Sequence, residues 1–240
     1  MQGIQTTFQR VERKYLLDEE QYQALRFRLE GEMEPDRYAQ NTICNLYYDT
    51  PNYQLIRTSL DKPVYKEKLR LRSYGVPADG DTVFVELKKK YKGVVYKRRV
   101  PMELRKARAW LAGESCPEDS QICREIQWTL QFYHPRPAVF LAYQRQALAG
   151  REDPQLRVTF DQKLRFREEG LDLVQGDWGS PLLPEGQYLM EVKIPGALPL
   201  WMSHLFDQLD IYPTSFSKYG TYYSRRVAAD RERKEKSNCA

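Results

Sequence analysis

The sequence predicts an α+β protein built on an eight-stranded antiparallel β-barrel, a tunnel with a charged interior and helices packed on its outside. Three observations lead there. First, cationic side chains recur at every second residue, as Lys66, Lys68, Arg70 and Arg72, then Lys88 and Lys90, then Lys97 and Arg99. Apolar residues fill the alternate positions, so each segment has one charged and one apolar face. Second, a Glu-x-Lys pair occurs on that charged face three times, as Glu12-x-Lys14, Glu86-x-Lys88 and Glu191-x-Lys193. Third, the charged face recurs in nearly every strand. A solvent-facing sheet would mix Thr, Ser, Glu and Lys there, whereas rows of long cations accumulate repulsion unless an anion offsets it. The sheet is therefore expected to curl and enclose that face.

The elements follow in order. Thr7 to Leu16 alternates as a strand, with Arg10, Glu12 and Lys14 opposite Val11 and Tyr15. Asp18 to Glu30 is helical, with Asp18 as N-cap and Tyr22, Leu25 and Leu29 at helical spacing. Thr42 to Asp49 is the second strand, ended by the turn composition Asp49-Thr-Pro-Asn52, and Tyr53 to Ser59 is a short helix. Tyr65 to Tyr74, Thr82 to Lys90 and Val94 to Met102 are the next strands, the last two joined as a hairpin through Tyr91-Lys92-Gly93. Glu103 to Ala112 and Glu118 to Phe132 are helices, with Pro135 and Pro137 ending that section. Ala138 to Gln146, Gln155 to Lys163 and Gln187 to Ile194 complete the strands, and Leu198 to Leu209 is an amphipathic helix. From Arg225 onward the chain is charged and expected to fray. No Gly/Ser linker divides it, so residues 1–223 read as one domain and 224–240 as a charged C-terminal tail.

At 240 residues, 41% hydrophobic and 30% charged, the composition is globular. The net charge of +5 is unevenly placed: Arg57 to Arg99 holds 13 Lys/Arg against 5 Asp/Glu, or +8, which leaves −3 elsewhere. That concentration favours an anionic ligand. Cys44, Cys116, Cys123 and Cys239 show no C-x-x-C spacing and the only histidines are His134 and His204, which excludes the usual zinc sites. Cys116 and Cys123 are close enough in sequence to pair, but Met1 to Lys14 has no apolar segment of a signal peptide, so the cytoplasm is the expected compartment. No apolar run approaches the roughly 20 residues of a spanning helix. Neither histidine has an evident nucleophile or relay partner. Glu191 lies amid Leu189, Met190, Val192 and Ile194, where a carboxylate needs a cation, either Lys or a divalent metal. Tyr47, Tyr48, Tyr65, Tyr143 and Tyr219 are taken mostly as core and rim packing.

Nine stretches carry a family resemblance: Glu12-Arg-Lys-Tyr15, Tyr47-Tyr-Asp49, Lys68-Leu-Arg-Leu-Arg-Ser-Tyr-Gly75, Phe84-Val-Glu-Leu-Lys88, Lys97-Arg-Arg99, Tyr143-Gln-Arg145, Arg157-Val-Thr-Phe-Asp161, Leu189-Met-Glu-Val-Lys193 and Phe216-Ser-Lys-Tyr219. In this order they resemble the polyphosphate-polymerase domain of the vacuolar transporter chaperone (VTC) family, within the triphosphate tunnel metalloenzyme superfamily. The resemblance covers about residues 8–223. It implies an eight-stranded tunnel, ATP and polyphosphate as substrates, and Mn²⁺ or Mg²⁺ as cofactor. By position, Lys14, Arg70, Arg72, Lys88, Lys97, Arg99, Arg145, Arg157 and Lys218 would hold phosphates. Ser217 and Tyr143 would add hydrogen bonds and Glu191 would hold the metal; Lys14, Arg70, Arg72, Lys88 and Glu191 form the expected catalytic set.

The sequence departs from the wider superfamily in one place. The N-terminal Glu-x-Glu-x-Lys of its hydrolytic and cyclase members is here Arg10-x-Glu12-x-Lys14. Fewer carboxylates recruit fewer metals, which disfavours two-metal activation of water and favours transfer of phosphate to phosphate. The expected activity is polyphosphate synthesis from ATP. Hydrolysis of tripolyphosphate or nucleoside triphosphate, and non-catalytic binding of polyphosphate or inositol phosphates, are the alternatives. Nucleic acid is not expected, because the cations face inward and the aromatic spacing of RNA-binding sheets is absent.

Overall fold

The structure, a computed structural model, describes residues 11–238, so Arg10 and Cys239 lie outside the described residues. In chain order the strands are β1 (Val11–Leu17), β2 (Met33–Asp49), β3 (Tyr65–Tyr74), β4 (Thr82–Tyr91), β5 (Val94–Glu103), β6 (Arg136–Gly150), β7 (Arg157–Arg167), β8 (Ser180–Pro181) and β9 (Tyr188–Ile194). The helices are α1 (Glu19–Leu29), α2 (Gln54–Leu60), α3 (Leu104–Leu111), α4 (Gln121–Tyr133), α5 (Leu200–Gln208) and α6 (Lys218–Asn238). The strands form one sheet in the order β1-β9-β7-β6-β2-β3-β4-β5, with β8 pairing β7.

Two expectations are corrected here. The described residues hold nine strands, not eight: the extra one is the two-residue β8, in a Gly- and Pro-rich loop with no alternation to reveal it. The sheet is also not closed, since no ladder joins β1 to β5 among the described residues. The outer side of β1 is covered instead by irregular chain, through an isolated bridge from Tyr15 to Pro213 and the bond from the Thr214 N–H to the Lys14 carbonyl.

The chain divides into two compact units, through both of which β2, β6 and β7 run. The first comprises the residues up to Asn41, Tyr143–Leu164 and Leu183–Phe216. Its core takes Tyr15 and Leu17 from β1, Val158 and Phe160 from β7, and Met190, Val192 and Ile194 from β9. Over them lie Tyr22, Leu25 and Leu29 of α1 and Met202, Leu205 and Phe206 of α5. Helix α1 starts where expected: the Asp18 carboxylate accepts the Gln21 N–H at 2.8 Å, and the Gln21 side chain accepts the Asp18 N–H at 3.3 Å, a capping box.

The second unit comprises Thr42–Ala142, Arg165–Leu182 and the chain from Ser217. Leu69 and Leu71 of β3, Val83, Val85 and Leu87 of β4 and Val100 of β5 form the apolar face read from the sequence. Trp110 of α3 and Ile126 of α4 cover it. Full burial of such side chains contributes roughly 1.5–3 kcal/mol each. Helix α4 begins three residues later than Glu118, because Ser120 caps it by accepting the Cys123 N–H at 3.1 Å. Cys44, Cys116 and Cys123 are free thiols. The expected fraying from Arg225 does not occur, and α6 continues to Asn238. Its Ala, Arg, Glu and Lys content favours helix, and Arg226 pairs with Asp230 one turn on and with Glu168. Among the described residues no helix is long and apolar enough to cross a membrane.

Candidate phosphate-binding site

In the second unit, strand register assembles the charged face. Tyr47 and Asn45 of β2 stand opposite Arg70 and Arg72 of β3. Arg70 stands opposite Glu86 of β4, and Glu86 opposite Arg99 of β5. Lys88 lies between Lys68 and Lys97. The centre is Glu86, only 1% exposed. Arg70 reaches it through Nε at 2.8 Å and through a terminal nitrogen at 2.6 Å; Arg99 Nε donates at 2.6 Å, Lys97 Nζ lies at 3.0 Å and Arg72 Nε at 3.9 Å. Burial alone would raise the Glu86 pKa, but Arg70, Arg72, Lys97 and Arg99 outweigh it and hold the carboxyl well below the usual range.

Further contacts fix these cations. Arg72 Nε donates to Asn45 Oδ1 at 2.8 Å, and Asn45 Nδ2 donates to the Leu141 carbonyl at 3.1 Å. The Arg99 guanidinium lies 4.3 Å from the Phe84 ring centroid. Lys68 Nζ donates to Ser217 Oγ at 2.9 Å, while the same Oγ caps α6 by accepting the Gly220 N–H at 3.1 Å; Lys218 is the first residue of that helix. The Lys66 ammonium is pushed below the usual lysine range by burial and then by Lys90, Lys62 and Lys88.

The first unit holds a different, nearly balanced cluster. Lys14 of β1 stands opposite Glu191 of β9, and Glu191 opposite Thr159 of β7. Lys14 Nζ lies 3.3 Å from Glu191 Oε1 and 3.7 Å from Glu12 Oε1, and donates to the Phe216 carbonyl at 3.1 Å. Arg145 grips Asp161 bidentately at 2.6 and 2.7 Å and reaches Glu191 Oε2 at 3.4 Å. The Tyr143 ring lies 5.3 Å from the Arg145 guanidinium. The cation that Glu191 needs is thus supplied by Lys14 and Arg145. Arg157 is drawn to Asp36. The buried hydroxyl of Thr159 has no hydrogen-bond partner.

These contacts bear on the implied metal. Among the described residues no three His, Cys, Asp or Glu side chains cluster to hold an ion. A divalent ion at Glu191 would therefore have one protein carboxylate, with Thr159 opposite it in register, and would need most of its ligands from outside the chain.

Of the residues expected from sequence, Arg70, Arg72, Lys97 and Arg99 meet on Glu86, Lys88 lies in register among them, and Ser217 with Lys218 opens α6. Lys14, Tyr143, Arg145 and Glu191 meet in the first unit. Glu86, Tyr47 and Asn45, and in the first unit Asp161 and Thr159, were not among the expected site residues. Their signal was available: each occupies the same alternate position as the cations beside or opposite it.

The fold places the chain in a class. It resembles the crystal structure of a candidate adenylate cyclase from Bacillus halodurans, with a TM-score of 0.54 and 15% identity over 86% of this chain and 92% of that one. A candidate adenylate cyclase from Vibrio parahaemolyticus gives 0.51 and 13% over 91% and 99%. Both likenesses are of fold. The VTC domain model matches residues 9–225, and the chain belongs to the VTC domain family. No curated protein matches its sequence.

Proposed function

We propose that this chain is an ATP-dependent polyphosphate polymerase, which transfers the γ-phosphate of ATP to the end of a polyphosphate chain. The observation that carries this reading is the face around Glu86. Four cations surround one carboxylate, and Lys66, Lys68, Lys88 and Lys90 share the face by register, so it is strongly short of negative charge. Fork-shaped Arg70 and Arg99 suit paired phosphate oxygens, and the lysines supply mobile point charges.

The attacking group in this transfer is a phosphate that is already anionic, so no general base is needed. The protein's task is to position two polyanions and cancel their repulsion. Arg70, Arg72, Lys97 and Arg99 would do this in the second unit, and Lys14 and Arg145 would hold phosphate within the first. Glu191 would hold Mn²⁺ or Mg²⁺, which would neutralise charge on the phosphates being exchanged. The scarcity of carboxylates favours phosphate over water as acceptor. Incubating the purified chain with ATP and either metal tests the reading: ADP should appear together with acid-insoluble polyphosphate. Free phosphate without chain growth would make it a hydrolase, and tight polyphosphate binding without ADP formation a binding module.

A further inference from the structure

A tyrosine hydroxyl has one proton to donate and lone pairs with which to accept. Tyr47, 6% exposed, accepts from an Arg70 guanidinium nitrogen at 3.1 Å, and no described residue accepts its own proton. The charged groups around it are Arg70, Lys68 and Arg72 of β3, with Glu86 of β4 bound to the far side of Arg70. Burial alone would raise the Tyr47 pKa, yet those three cations outweigh it and bring it down to about 8. The ring cannot swing away. It stacks on Tyr219 at 4.7 Å, and the Tyr219 hydroxyl donates at 2.8 Å to Asp49, whose other oxygen is held by the N–H of Leu55. A rigid donor with no acceptor, set among cations, lacks an anion.

We propose that Tyr47 is a substrate-binding residue, whose hydroxyl donates a hydrogen bond to a non-bridging oxygen of a phosphate group held by Arg70. This rests on the reading of the face as a phosphate site, but not on the reaction carried out there. It adds a binding role to the packing role expected from sequence.

Tyr47→Phe removes the hydroxyl and keeps the ring stack. Calorimetric titration with tripolyphosphate should show affinity about tenfold weaker or more, the size expected for one hydrogen bond to a charged group, with the melting temperature unchanged. A spectroscopic test reads the hydroxyl directly. At a pH just above 8, tripolyphosphate should lower the phenolate absorbance of the wild-type chain, because a donated proton must be retained; Tyr47→Phe should lack that change. Equal affinities, or the same absorbance change in both chains, overturn the proposal. A wild type that binds tripolyphosphate through Tyr47 but makes no polyphosphate leaves it standing and removes the polymerase. Absence of tripolyphosphate binding removes both.

Discussion

Glu86 orders the cations of its unit before any ligand arrives. Without it, Arg70, Arg72, Lys97 and Arg99 would repel one another on adjacent strands. Glu86→Gln is predicted to cost about 3–5 kcal/mol of stability, the usual loss on breaking a buried charged pair, and tripolyphosphate should restore more stability to this variant than to the wild type. The pH dependence follows in sign. The folded carboxyl is held below the ordinary range, so its stabilisation is fully present above the unfolded value of about 4.3 and is lost as pH falls toward the folded one. Denaturant titrations over acidic pH should show that limb in the wild type and a flatter one in Glu86→Gln. At Glu191 the prediction concerns activity: Glu191→Ala, Lys14→Ala and Arg70→Ala should each abolish ATP turnover while circular dichroism stays native. Retained activity in all three would sink the assignment. The cations were legible from their period of two. Glu86 was seen as one of three Glu-x-Lys pairs but not as a hub, because sequence spacing does not reveal which strands become neighbours.

At the level of elements, Asp49 joins β2, α2 and α6. Its carboxylate accepts the N–H groups of Leu55 at 2.8 Å and Ile56 at 3.0 Å, so it caps α2 in place of Tyr53, and it also accepts the Tyr219 hydroxyl. Asp49→Ala is predicted to destabilise by about 2–4 kcal/mol, a lost cap plus a buried hydroxyl left unpaired. It should also weaken tripolyphosphate binding, since Tyr219 follows Ser217 and Lys218 directly; thermal melts and titrations of one preparation check both effects. The elements easiest to read were those with clean periodicity: the hairpin strands, α1 with its Asp18 cap, and β9. The first half of β2, Met33 to Asn41, went unread because Pro35, Asp36 and Asn41 are residues that strands usually avoid. From Arg225 on, α6 reads in sequence as a fraying tail because its charge density masks its helix propensity, and the anchors of Tyr222 and Arg226 on Glu168 are long-range contacts that sequence does not reveal.

For the whole molecule the charge distribution makes a proton-linked prediction. Lys66, Lys97 and Lys193 are each held below the usual lysine range, with burial the largest cause in every case. An arriving polyanion favours their charged forms, so binding should take up protons at alkaline pH and weaken steeply with salt. Calorimetry in two buffers of different ionisation enthalpy measures the uptake, and a value of zero would contradict this account. In the proposed reaction the acceptor of the γ-phosphate is another phosphate and not water. The most direct measurement is to run the ATP reaction in oxygen-18 water and examine the phosphate products by mass spectrometry. ADP should be released with no heavy oxygen entering the newly transferred phosphate. One heavy oxygen per ADP formed would show that water is the acceptor and contradict the proposed reaction.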